Sequence, residues 1–186
     1  MADYIRLGFT HVLPLGLDHI LFILALCLYA PRLGPLLWQA SAFTLAHSFT
    51  LALTMTSVIR PPSSLVEIMI AVSIAYVAVE NLAQPRATAR RPLIVFAFGL
   101  LHGMGFAGAL REAAPEPGDL APALIGFNIG VEVGQMAVIG LYILLVGVWT
   151  RSRRWYRACV AIPLSLAIAV AGAAWTWERL QAAGYI

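Results

Sequence analysis

Six long apolar stretches, roughly residues 9–30, 37–58, 65–83, 93–110, 123–149 and 160–178, leave this chain little choice of solvent. A helix that crosses the hydrocarbon core of a bilayer, about 30 Å thick, needs about 20 mostly apolar residues at 1.5 Å each. Proline- and arginine-rich punctuation separates the stretches: PRLGP at 31–35, RPPSS at 60–64, QPRATARRP at 84–92, REAAPEPGDLAP at 111–122 and TRSRRWYR at 150–157. Of the 186 residues, 61% are hydrophobic and only 11% charged, where a soluble domain carries roughly 25% charge. The loops leave no room for a water-soluble domain. The pattern predicts an all-α polytopic membrane protein, a single transmembrane domain over 1–186 built as a bundle of about six helices. The first stretch holds Asp18 and His19 inside its apolar run, which a cleaved signal peptide would not, so it is read as a permanent helix.

Arginine placement sets the expected orientation. All 12 basic residues are arginines. The first, third and fifth loops hold Arg32, Arg86, Arg90, Arg91, Arg151, Arg153, Arg154 and Arg157 and no acid. The opposite face holds Arg6, Arg60, Arg111 and Arg179, together with Asp3, Glu112, Glu116, Asp119 and Glu178. The positive-inside rule puts the arginine-rich face in the cytoplasm and both termini outside, in a bacterial-type inner (plasma) membrane. The lipid bilayer is then the first partner, and the net charge of +3 reflects orientation rather than nucleic-acid binding. Cys27 and Cys159 fall near the cytoplasmic side without CxxC or zinc-ribbon spacing. They are expected to pack as apolar residues, with no disulfide.

Four acids and all four histidines fall inside the spans: Asp18, Glu67, Glu80 and Glu132, with His11, His19, His47 and His102. Asp18, His19, His47, His102 and Glu132 each lie about nine or ten residues from their own helix start, which is roughly 13–16 Å, near the bilayer midplane. An ionisable group at that depth costs at least about 2.5–3.5 kcal/mol, so such residues point to partners or function. His11 and Asp18, seven apart, share a helix face. Asn128, Glu132 and Gln135 line one stripe of the fifth helix, and Gly126, Gly130 and Gly134 another. Gly99 and Gly103 repeat the small-residue spacing beside His102, and such spacings let helices approach closely in lipid. Glu67, near the outer end of its helix, reads as a snorkelling or capping residue, and Glu80 as a partner for an arginine of the next loop or part of a polar line along the axis. Imidazoles with carboxylates and no thiolate at the same level suit borderline divalent ions such as nickel, cobalt or zinc and disfavour a copper(I) thiolate site. A proton relay uses the same residue types.

The blocks HVLPLGLDHILF (11–22), AFTLAHSFTLAL (42–53), VEIMIAVSIAYVAVEN (66–81), FGLLHGMGFAGAL (98–110) and FNIGVEVGQ (127–135) resemble the HupE/UreJ family in its second, divergent branch. The resemblance covers most of the first five spans. It implies a small nickel or cobalt permease linked with nickel-dependent hydrogenase and urease systems, with metalloenzyme maturation proteins as partners. The family's histidine, spacer and Asp-His signature falls on His11, Asp18 and His19, with six residues between His11 and Asp18. Its later histidine-rich block retains only His102, and the nearest intramembrane acid is Glu132 in the following helix.

Two functional readings remain open on the residues. In the first, a permease, His11 collects Ni²⁺ or Co²⁺ from outside, and Asp18, His19, His47, His102 and Glu132 form a midplane site. The chain has no GxxxxGK[ST] motif, so a gradient or a partner would drive it. In the second, an intramembrane zinc hydrolase acting on a lipid or another membrane-soluble substrate, three histidines hold zinc and Asp18 or Glu132 is the base. A third, non-catalytic reading is a membrane anchor or assembly subunit whose buried ions are structural, and a homo-oligomer is compatible with any of the three. The depth argument predicts that Asp18→Asn and His47→Ala abolish metal-dependent activity while Glu67→Gln does little, which a side-by-side assay of the three variants checks.

Overall fold

The computed structural model describes residues 1–29, 33–84, 90–113, 117–150 and 153–186. Arg32, Arg86 and Arg151, three of the arginines that set the expected orientation, and Glu116 lie outside these residues. The described residues are helical, with no strand among them.

The first apolar stretch is two helices rather than one. α1 spans Ala2–Val12 and α2 spans Leu17–Tyr29, with 65° between their axes. Pro14 offers no backbone N–H and disfavours the helical region for the residue before it. Leu13 is accordingly extended, at φ −134° and ψ 117°, and its N–H closes α1 on the Phe9 carbonyl at 2.8 Å. Gly16 then turns the chain back so closely that a Cβ there would collide with the His11 carbonyl oxygen. Its own carbonyl accepts the Ile20 N–H at 2.9 Å and starts α2. The break replaces the continuous helix expected over 9–30.

The remaining helices follow the expected stretches with shifted ends. They are α3 (Leu33–Met55), α4 (Ser63–Ala83), α5 (Arg91–Gly105), a short α6 (Ala107–Ala113), α7 (Leu120–Tyr142) and α8 (Ile162–Ala182). Wider π turns at Ile143–Gly147 and Arg157–Ala161 extend α7 and α8 towards each other. By length and apolarity alone, three helices among the described residues can cross a membrane: α4, α7 with its extension, and α8 with its extension. The bent α1–α2 pair makes a fourth if it counts as one span. α5, at 15 residues, is short, and α3 is diluted by Gln39, Ser41, Thr44, His47, Ser48 and Thr50. Large apolar side chains such as Leu45, Phe49, Leu93, Leu144 and Trp149 face outward, as a lipid-solvated surface requires.

Glycine seams join the helices in pairs. On α3 and α5, a Cβ at Gly99 would lie 2.6 Å from the Phe43 carbonyl oxygen, and one at Gly103 would strike the His47 carbonyl. The Thr50 hydroxyl crosses the same seam to the Leu100 carbonyl at 2.7 Å. On α1 and α7, Gly8 meets the Phe127 backbone, Gly130 meets Ile5, and Gly134 faces Val12. On α4 and α8, a Cβ at Gly172 would lie 2.7 Å from the Ala75 nitrogen. Lipid removes the hydrophobic drive between helices, so this backbone-level packing and the few polar crossings hold the bundle.

The end of the bundle that holds the α4–α5 connection is locked by charge. Arg91, the first residue of α5, donates to Glu80 Oε2 at 3.0 Å and to Asn81 Oδ1 at 2.9 Å, and stacks 4.0 Å from the Tyr29 ring. Asn81 Nδ2 donates in turn to the Ala25 carbonyl at 2.8 Å and to Ser165 at 3.3 Å. Four helices meet in this network, and both charges are buried. Glu80 is thus committed to an arginine and does not extend a free polar line. Forcing a side chain into a filled seam costs about 1–3 kcal/mol or more. Gly130→Val is expected to lower thermal stability in detergent sharply, while Gly140→Val, where a Cβ meets nothing within 4 Å, leaves it close to wild type.

Candidate metal centre

Four histidines from four helices converge. The α1–α2 break places His11 at the end of α1 and Asp18 and His19 in the first turn of α2. The Gly99–Gly103 seam sets His102 of α5 beside His47 of α3. Ligand nitrogens of His11, His19 and His47 all lie within 4.8 Å of one another. Two ligands opposite each other across one ion, at about 2.1 Å each, stand about 4 Å apart, so small side-chain rotations would close the three around a single ion. The His102 ring is centred 5.0 Å from that of His19.

The hydrogen bonds leave lone pairs pointing inward. A backbone carbonyl only accepts, so the 2.9 Å contact to the Phe98 oxygen puts the proton of His102 on Nδ1 and frees Nε2. Asp18 Oδ1 accepts the backbone N–H of His19 at 2.8 Å and faces its Nδ1 at 3.1 Å. With the carboxylate ionised, that pair puts the proton of His19 on Nδ1 and frees Nε2. Carboxylate–histidine pairs of this kind orient an imidazole for a metal and raise its basicity. Asp18 also satisfies an amide at the start of α2, where the helix dipole favours negative charge. His11 Nε2, His19 Nε2, both ring nitrogens of His47 and His102 Nε2 are buried without a hydrogen-bond partner in the protein. Asn128 Oδ1 is turned towards His47 without reaching hydrogen-bond geometry. Each unsatisfied buried polar atom costs about 1–3 kcal/mol. A cation bound among the four imidazoles, taking one nitrogen from each, would offset much of that cost.

A chamber of about 90 Å³ opens onto the cluster from the α4 N-terminal end. His11, Asp18, His19 and His102 line its floor, with Glu67, Phe106 and Arg179 around them. Glu67 is exposed and Arg179 half-buried; the Arg179 guanidinium donates to the Glu67 carbonyl at 2.6 Å. Glu67 is thus exposed near the start of α4 and also lines the chamber, a placement that its position along the helix did not indicate. On α3 and α7 the polar stripe divides. Gln135 turns inward, 1% exposed, and its Oε1 accepts the Thr44 hydroxyl at 3.2 Å. Glu132 accepts from Ser41 at 3.1 Å on an outward groove between the two helices, shared with Ser48 and Asn128. The structure therefore brings His11, Asp18, His19, His47 and His102 together and leaves Glu132 outside the cluster. The three-residue step from Glu132 to Gln135 turns the helix by about 60° short of a full circle, enough to part the seam face from the interior.

Geometry and composition together define an all-helical membrane protein with a buried cluster of imidazoles and one carboxylate of the kind that holds transition metals. The family model described as HupE / UreJ protein matches residues 1–179, so the chain belongs to this family, which is associated with nickel and cobalt transport. No curated protein and no solved structure matches it. Only neutral imidazoles bind metal. A Co²⁺ titration of the purified protein followed by visible absorption reads occupancy of this site. Asp18→Asn is expected to weaken binding about 10–100-fold, and Glu132→Gln to leave it unchanged.

Proposed function

We propose that this protein is a permease for a divalent transition metal, nickel or cobalt, with His11, Asp18, His19, His47 and His102 as its central site. The observation that carries the reading is the set of four imidazoles with unpartnered buried nitrogens beside one carboxylate, with a small chamber lined by His11, Asp18, His19 and His102. A chamber of about 90 Å³ has room for several waters, since about 10–15 Å³ on this measure holds one. It suits an ion that has shed part of its hydration shell, and it is narrow for a lipid chain or ester, which favours transport over the hydrolase reading.

In this reading the ion meets Glu67 and Arg179 at the chamber mouth, exchanges waters for imidazoles at the cluster, and leaves towards the Glu80–Arg91 end. The carboxylate of Asp18 balances part of the ion's charge and keeps the His19 lone pair aimed at it. Imidazole and carboxylate together bind borderline divalent ions yet release them, because no thiolate holds them. The arginine-rich face is the cytoplasmic one and both termini are outside, so the chamber faces outward.

Purified protein in proteoliposomes enclosing a dye that responds to Ni²⁺, Co²⁺ and Zn²⁺ tests this. Dye response in the wild type, reduced at least about tenfold in Asp18→Asn, is expected, with Glu67→Gln slowing uptake rather than leaving it untouched. No response, together with near-stoichiometric zinc retained through purification, would replace the permease with the hydrolase.

A further inference from the structure

The cluster is closed on the side away from the chamber by two phenylalanines. Phe22 of α2 and Phe43 of α3 are buried, with ring centres 5.3 Å apart. Their centres stand 5.3 and 5.0 Å from that of His102, and Phe43 also lies 5.9 Å from His19. Between these rings and the locked end is a cavity of about 10 Å³, close to the least that one water needs. His19 and Gln135 are its polar lining; Phe22, Leu26, Leu36 and Phe43 supply most of the rest.

We infer that Gln135 is the ligand to which the ion passes on leaving the histidines, with Phe22 and Phe43 as the walls of that step. The inference rests on the permease reading. Gln135 shares a cavity with His19, one of the cluster's own ligands, and the rest of that cavity's lining is apolar. The Thr44 hydroxyl holds its amide in place from α3. Gly134 packs on Val12, which fixes this turn of α7 against α1. An amide oxygen is a weaker ligand than imidazole for nickel or cobalt, so the step from His19 to Gln135 runs down in affinity, as release requires. Gln39, one turn from Phe43 on α3 towards the locked end, is also buried, and its Oε1 has no hydrogen-bond partner in the protein. It offers the next oxygen along the same line.

A purely structural Gln135, tying α3 to α7 through Thr44, makes a different prediction, and two measurements separate them. Co²⁺ affinity is read by visible absorption in detergent, and Co²⁺ uptake by dye in proteoliposomes, for wild type, Gln135→Leu and Gln135→Asn. Gln135→Leu is expected to keep Co²⁺ affinity within about threefold and to lose uptake at least about tenfold, with Gln135→Asn in between. Uptake by Gln135→Leu within about twofold of wild type overturns the inference, as does a loss of affinity that matches the loss of uptake. If Gln135→Leu does not fold, Gln135→Asn decides: slowed uptake with affinity intact supports the hand-off, and wild-type uptake overturns it. A wild type that binds Co²⁺ but passes none overturns the permease reading itself, and this inference with it.

Discussion

The break between α1 and α2 is the constraint on which the rest of the site depends. A continuous helix would carry its backbone groups in a closed ladder and hold His11 and Asp18 two turns apart. At Leu13–Gly16 the ladder opens, in a setting where every freed N–H and C=O needs a partner. Leu13 and Leu15 donate to the Phe9 and Thr10 carbonyls at the end of α1, Leu17 donates to the Leu15 carbonyl, and Asp18 accepts the His19 amide in the first turn of α2 through its side chain. The carboxylate that a membrane span should exclude is therefore part of what makes the break tolerable. It lies at the positive end of a helix, bonded to the imidazole it orients.

Close packing supplies the other half. The histidines from α3 and α5 meet because Gly99 and Gly103 let the two backbones come together. The His11 ring lies 5.4 Å from that of Phe127 where Gly8 and Gly130 draw α1 onto α7. Replacing these glycines would push apart the helices that carry the histidines. The small-residue stripes and the histidine cluster are thus one design.

Much of this was legible in the sequence. The depth of Asp18, His19, His47 and His102 in separate apolar runs indicated a common level, and the glycine spacings indicated the seams. Pro14 and Gly16 stood in plain view as helix breakers, yet the length of the apolar run from 9 to 30 favoured one continuous span. Glu132 was harder to place. Helical phase joined Asn128, Glu132 and Gln135 in one stripe, but only the neighbouring helix decides which part of a stripe faces the interior, and α3 draws Glu132 to Ser41. Glu67 and Arg179 lie 112 residues apart and meet only because α4 and α8 pack side by side. The Glu80–Arg91 pair was foreseen as one of two outcomes and is the one the fold adopts, because α5 begins beneath the end of α4.

The break has a mechanical consequence. α1 is bound along α7 by the glycine seam, while α2 is tied to α4 by Asn81 on the Ala25 carbonyl and drawn into the charged lock by Tyr29. His11 therefore sits on a helix anchored chiefly to α7 and His19 on one anchored to α4 as well, joined by the four residues of the turn. A shear of a few ångströms between the two helices would be felt first as a change in the separation of these two rings, now centred 4.6 Å apart. An ion held by both would lose one donor from its shell before any other part of the site moved. A fold broken within its own histidine cluster would couple the spacing of those rings directly to conformation.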